Sequence, residues 1–304
     1  MADQHEKNPH ELASAAVVVG TDGSEHGSAA VRWAARTAAE RGRRLLIVHG
    51  MNLPAARATL GVYDVMVPPV SETLRARGSK ILAEASALAH GVAPELSVAT
   101  KLGEENAAAL LTALSAHAHL VVLGATPGMG TIAHLGSTLL AVTAHADGAV
   151  VVVRGDRQLT GDSAPVVVGA DGSEVGEAAI AAAFAEAAAR GVDLVTIHAW
   201  SDLTAGEFAG TQYLDIPLEN LEIGERALLA ERLAGWQEKY PEVTVIRKVY
   251  LSGAREHLGD WSQYAQLVVV GSRGRGGFRG LLLGSTSNWL VQHAECPVMV
   301  VHPK

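Results

Sequence analysis

Short continuous apolar runs punctuate this chain, separated by longer segments that can be helical. Such runs read as strands buried on both faces, because a half-exposed strand would alternate. The first half predicts strands near 15–20 (AAVVVG), 44–49, 95–100, 119–123 and 149–153. Helices are predicted near 25–41, 71–90, 105–116 and 137–146, with a loop from the second strand to about residue 70. The second half predicts helices near 174–190, 218–239, 254–264 and 285–294. Gly42 and Gly191 follow the first helix of each half, where a left-handed glycine commonly ends a helix. Alternating strands and helices imply a parallel sheet covered on both faces and wound by right-handed crossovers. Sheets of this kind take ligands beyond the carboxyl ends of their strands, at the switch point.

The pattern is written twice. Asp22-Gly23-Ser24 returns as Asp171-Gly172-Ser173, an offset of 149 positions. Leu45–His49 returns as Leu194–His198, Leu120–Gly124 as Leu267–Gly271, and Gly136-Ser137-Thr138 as Gly284-Ser285-Thr286. A repeat of this length means two tandem domains, not a solenoid. The expected organisation is a tail over 1–14, a first domain over 15–153, a polar linker over 154–164 (RGDRQLTGDSA) and a second domain over 165–304.

The formal net charge of −8 argues against nucleic acid or an anionic membrane as main partner. The single cysteine, Cys296, excludes an intramolecular disulfide, fits a reducing compartment and reads as a buried core thiol. The N-terminus is polar, without the apolar segment of a secretory signal, and no apolar run approaches membrane-spanning length. A cytoplasmic protein is expected.

Chemistry concentrates in Leu267–Leu290, LVVVGSRGRGGFRGLLLGSTSNWL. A strand runs into a glycine-rich loop and then into a helix start. Glycines let backbone N–H groups approach an anion, and the first helical turn leaves donors unpaired. Ser285 can add a hydroxyl or act as a plain N-cap, and Arg273, Arg275 and Arg279 can supply counter-charge. The loop is not a Walker A motif, because no Lys-Ser or Lys-Thr closes it. Nor is it the dinucleotide fingerprint, since Arg279 stands where the third glycine belongs.

The loop does match Gly271-x-x-Gly274, nine residues, then Gly284-Ser285. Together with Gly-x-Asp-Gly-Ser after the first strand of each half, this resembles the ATP-binding universal stress proteins, in the tandem form common in actinobacteria. The resemblance spans about 15–302. It implies two flavodoxin-like (adenine nucleotide alpha-hydrolase-like) domains, each a five-stranded parallel sheet of order 3-2-1-4-5. It implies that each fifth strand pairs with a counterpart in another such domain, within the chain or in a homodimer. It also implies ATP with Mg²⁺ or Mn²⁺. Asp22 and Asp171 would contact the nucleoside, and the backbone at Gly50 and Ala199 would face adenine. Gly271, Gly274, Gly284 and Ser285 would hold phosphates and ribose. Ser272, Arg273, Arg275, Gly276, Gly277 and Thr286 belong to the same loop, and Gly169 and Asp202 complete the candidate set. The first-half set is Gly20, Asp22, Gly50, Gly124, Gly128, Gly130, Gly136, Ser137 and Thr138.

The first half departs from the pattern. Pro127 stands where the second glycine belongs, its loop is one residue shorter, and it offers His134 but no arginine. The second site is therefore expected to bind ATP more tightly, since each lost charge-assisted hydrogen bond costs roughly 1.5–3 kcal/mol. Other readings stand beside these. Asp22 and Asp171 can simply stabilise turns. His49 and His198 read as structural histidines, and His117 and His119, two apart, point differently on a helix. No residue set supplies a base for attacking water. The expected role is an ATP-binding stress-response regulator that acts by nucleotide-dependent conformation on an unidentified protein partner. It is expected to be no enzyme beyond a weak ATPase. The rival readings are a slow ATP hydrolase and a nucleotide-free scaffold.

Overall fold

A computed structural model describes residues 15–60, 67–125, 137–154, 163–200, 218–251, 253–274 and 283–303. The chain divides into two compact units, one holding the described residues up to 154 and the other those from 163 onward.

The first unit runs β1 (Val17–Gly20), α1 (Glu25–Glu40), β2 (Leu45–Gly50), α2 (Leu53–Leu60), α3 (Val67–Val92), β3 (Val98–Gly103), α4 (Ala107–Ser115), β4 (Leu120–Ala125), α5 (Ser137–His145) and β5 (Ala149–Arg154). Its strands are parallel and lie in the order β3-β2-β1-β4-β5. The second unit runs β6 (Val166–Gly169), α6 (Glu174–Arg190), β7 (Leu194–Ala199), α7 (Leu218–Lys239), β8 (Val245–Tyr250), α8 (Ala254–Ser262), β9 (Leu267–Gly271), α9 (Ser285–His293) and β10 (Val298–Val301). Its order, β8-β7-β6-β9-β10, is the same one, so each unit is the doubly wound five-stranded layer expected.

The central strands form the core because both of their faces are covered. Val17, Val19, Val166, Val167 and Val168 have no exposed surface. In α1, Ala30, Ala34, Ala35 and Ala38 face the sheet fully buried, and these small side chains let the helix axis lie close to it. α6 repeats this with Ala179, Ala183 and Ala187. Gly191 ends α6 in the left-handed conformation at φ 63°, as its position predicted. Cys296 is fully buried.

Three local expectations fail for identifiable reasons. The loop after β2 contains α2, which buries Leu53 and exposes most of its other described side chains, so it carries no apolar stripe to read. β3 begins at Val98 and not near 95. It is an edge strand in its unit with a mostly exposed face, so it lacks the continuous apolar run that marks the central strands. α3 also starts earlier than expected, because Pro68 and Pro69 lie in its first turn, where proline is tolerated.

The units differ in their aromatic content. Phe184, Trp236 and Tyr240 stack with centroids 5.9 to 6.5 Å apart, and the Lys239 ammonium lies 5.2 Å from the Trp236 centroid. Of the five tryptophans, Trp33 belongs to the first unit, and Trp200, Trp236, Trp261 and Trp289 belong to the second.

Candidate functional site

The turn after the first strand of each unit has one construction. Gly23 and Gly172 sit at φ 81° and 77°, a region that other residues enter at a cost. Asp22 Oδ1 accepts from Ser24 N at 2.9 Å, and Asp171 Oδ1 accepts from Ser173 N at 3.0 Å and Ser173 Oγ at 2.7 Å. Each serine then caps its helix, accepting from Gly27 N at 3.1 Å or Gly176 N at 3.0 Å. Gly176 is a packing requirement, since a Cβ there would lie 2.3 Å from Asp171 Oδ1. Burial pushes the Asp22 carboxyl up, but the Ser24 hydrogen bonds, its own backbone N–H and the His49 ring together hold it below the ordinary 3.8.

Behind each turn stands the histidine that ends the second strand. His49 Nδ1–H donates to Thr21 O at 2.8 Å, and His198 Nδ1–H donates to Ala170 O at 2.6 Å. A carbonyl only accepts, which fixes the proton on Nδ1 in both rings. These histidines tie the second strand to the residue preceding each aspartate. His198 has a further partner that the sequence did not reveal: its Nε2 lies 3.0 Å from Glu225 Oε2 on α7.

The β9 loop meets this turn. A Cβ on Gly274 would lie 2.5 Å from Asp171 Oδ2, so the glycine packs directly against the carboxylate. The two ends of the loop are fastened together. Ser272 N donates to Val301 O and Gly284 N to Ser272 O, each at 2.7 Å, while Ser287 Oγ donates to Gly271 O at 2.6 Å. Gly169, Asp171, Gly271, Ser272, Arg273, Gly274, Gly284, Ser285 and Thr286 thus lie on three connected segments at the carboxyl end of β6 and β9. Ser285 is not the cap of α9. Gly284 is the N-cap and makes no side-chain hydrogen bond, and Ser285 is the exposed first helical residue. Helices α1, α4 and α6 are capped by Ser24, Asn106 and Ser173, whereas α8 and α9 start from Gly253 and Gly284, so among the described residues the first-turn donors of α9 meet no side-chain cap.

The leading glycine of the signature has a packing role as well. A Cβ on Gly271 would lie 2.9 Å from Val175 Cγ1, and one on Gly124 would lie 2.2 Å from His26 O. In the first unit, Gly20 closes β1 beneath Leu111, and Gly50 lies beneath Ala107, whose N would be 2.5 Å from a Cβ there. Ser137 and Thr138 open α5. Ala199 ends β7, and the following Trp200 N donates to Tyr250 O at 3.3 Å. Pro127, Gly128, Gly130, His134, Gly136, Asp202, Arg275, Gly276, Gly277 and Arg279 lie outside the described residues. Among those described, no group of three or more His, Cys, Asp and Glu is placed to hold a metal ion, and no helix is long and apolar enough to cross a membrane. His119 Nε2 accepts from Arg41 Nη1 at 2.8 Å.

Known proteins share this architecture and sequence. The universal stress protein family pattern matches residues 15–154 and again 164–302. A universal stress protein of Mycolicibacterium smegmatis is 42% identical over 296 residues, covering 95% of this chain and 97% of its own. One of Mycobacterium tuberculosis is 41% identical over 295 residues, covering 93% and 96%. Among solved structures, a universal stress protein from Archaeoglobus fulgidus superposes with a TM-score of 0.66 at 17% identity, covering 94% of this chain and 97% of that one. Matched twice by the family pattern and along nearly its whole length by these relatives, the chain belongs to the universal stress protein family.

Proposed function

We propose that this chain is an ATP-binding regulatory protein whose second unit holds the nucleotide between the β6 turn and the start of α9. The observation that carries this reading is the contact of the Asp171 carboxylate with Gly274, which brings the aspartate turn and the glycine loop together. A phosphate chain cannot settle on a carboxylate, but the uncapped start of α9 offers it N–H donors and the positive end of the helix dipole. The nucleoside then falls to the Asp171 side, as the family resemblance implies. Mg²⁺ or Mn²⁺ travels with the phosphates and neutralises part of their charge. His198 is committed through both ring nitrogens and is not free to activate water. The nucleotide therefore acts as a signal, with hydrolysis at most slow. Its occupancy holds the β9 loop against α9, a state read by a protein partner, in a homodimer built through the fifth strands.

The test is nucleotide content. Freshly purified chain is denatured and the released nucleotide is quantified by chromatography, for the natural sequence and for Asp171→Asn. Bound ATP that drops in the variant supports the reading. ADP in its place moves the assignment to a hydrolase. No nucleotide, with none gained from added ATP and Mg²⁺, overturns the proposal.

A further inference from the structure

The long helix after the second strand presents the same stripe to the aspartate turn in both units, but with different chemistry. In the first unit, Ile81 of α3 lies against Gly23, its Cγ1 3.1 Å from where a Cβ would stand. In the second, Arg232 of α7 takes that place against Gly172. A Cβ on Gly172 would lie 1.6 Å from Arg232 Nη1 and 2.5 Å from Nη2, so the guanidinium rests directly on the glycine. Ile81 and Arg232 are 151 positions apart, and the same offset pairs buried Leu82 with buried Leu233 and Leu74 with Glu225. Along one stripe the second unit has therefore exchanged two apolar residues for an acid and a base.

The acid is accounted for. Glu225 Oε2 lies 3.0 Å from His198 Nε2, and His198 in turn holds Ala170, the residue before Asp171. This chain of contacts pins α7 to the turn and fixes where Arg232, seven residues further along the helix, is delivered. The base is not accounted for. Arg232 is half-buried and, among the described residues, has neither a hydrogen bond nor an ion pair. A partly desolvated guanidinium without a partner forgoes charge-assisted hydrogen bonds that a phosphate would supply in a planar, two-pronged geometry.

We propose that Arg232 is a phosphate-binding residue of the second unit, and that Ile81 leaves the first unit without one. The ligand group is a phosphate over Gly172, clear of the Asp171 carboxylate; in a nucleotide it is the one nearest the nucleoside, the outer phosphates lying at the start of α9. It belongs either to the nucleotide of the function proposed above, on which this form of the inference rests, or to free phosphate or pyrophosphate. The second unit then selects phosphorylated ligands over the bare nucleoside more strongly than the first.

The experiment measures calorimetric affinities of ATP–Mg²⁺, AMP and adenosine for the natural chain, for Arg232→Ile and for Arg232→Gln, with unliganded melting curves as the control for folding. Pyrophosphate-induced thermal shift is recorded on the same three proteins. In both variants ATP and AMP should weaken about 10- to 100-fold at the second site while adenosine is unchanged. An equal loss for AMP and adenosine assigns Arg232 to packing and overturns the proposal. Unchanged affinity for all three also overturns it, and leaves the nucleotide reading standing. If no nucleotide binds, pyrophosphate decides. A shift present in the natural chain and lost in the variants sustains Arg232 as a phosphate residue and removes only the nucleotide, whereas no shift removes both.

Discussion

The two strand-end histidines are equivalent in position but not in what they hold, and that inequality can be measured. Removing His49 frees one carbonyl, whereas removing His198 frees a carbonyl and leaves the Glu225 carboxylate without its partner. His198→Leu should therefore cost about 1–3 kcal/mol in urea unfolding, and more than His49→Leu. Adding Glu225→Leu to the first variant should restore part of the loss, as expected for a coupled pair. Asp22 gives a pH prediction. Its folded carboxyl titrates below its ordinary value, so its contribution to stability is present above that value and is lost as pH falls through the folded one. In Asp22→Asn this part of the acid sensitivity disappears. Melting temperatures of variant and natural chain should converge as pH is lowered below about 4.

At the scale of elements, glycines that look alike do different work. Gly124→Ala would drive a Cβ into the backbone of His26, and β4 would have to move away from α1. A loss of about 1–3 kcal/mol is expected. Gly271→Ala would meet Val175 Cγ1 at 2.9 Å and the Arg273 and Val175 carbonyl oxygens at 3.0 and 3.1 Å, a looser fit than the 2.2 Å at Gly124, and should cost less in the same urea titration. The start of α9 supplies a sharper test. Ser285→Asp adds a negative charge to an uncapped helix start and should stabilise the unliganded chain by about 0.3–1 kcal/mol. The same charge should weaken ATP binding at least 10-fold if the phosphates seat there. A stabilised variant with undiminished ATP affinity would place the phosphates elsewhere. The buried strands, the repeat and the two aspartate turns were legible because each leaves a dense local signal: an apolar run, or a glycine and serine at fixed spacing. Helix α2 and edge strand β3 were not, because one buried leucine or a half-exposed strand leaves no pattern. Glu225 and Arg232 were invisible for another reason. Their meaning lies in long-range partners, His198 and Gly172, and nothing local sets them apart from the other charges of α7.

The molecule as a whole carries two copies of one layer that have drifted apart at the carboxyl ends of their strands. Pro127 and Ile81 stand in the first copy where the second has Gly274 and Arg232. Two unequal binding events should appear in a calorimetric titration with ATP and Mg²⁺, the tighter one removed by Asp171→Asn and the weaker one by Asp22→Asn. A single class of equal sites would mean that the drift has no consequence for binding.

The uneven spread of tryptophans gives the halves separate optical signatures. Intrinsic emission comes from four indoles in the second unit and one, Trp33, in the first. Replacing Trp33 by Phe turns the fluorescence of the intact chain into a record of the second unit alone, while far-ultraviolet circular dichroism still counts the helices of both. Superimposed melting curves from the two signals would mean that the tandem melts as one cooperative body, and separated curves would give the stability of each half without cutting the chain.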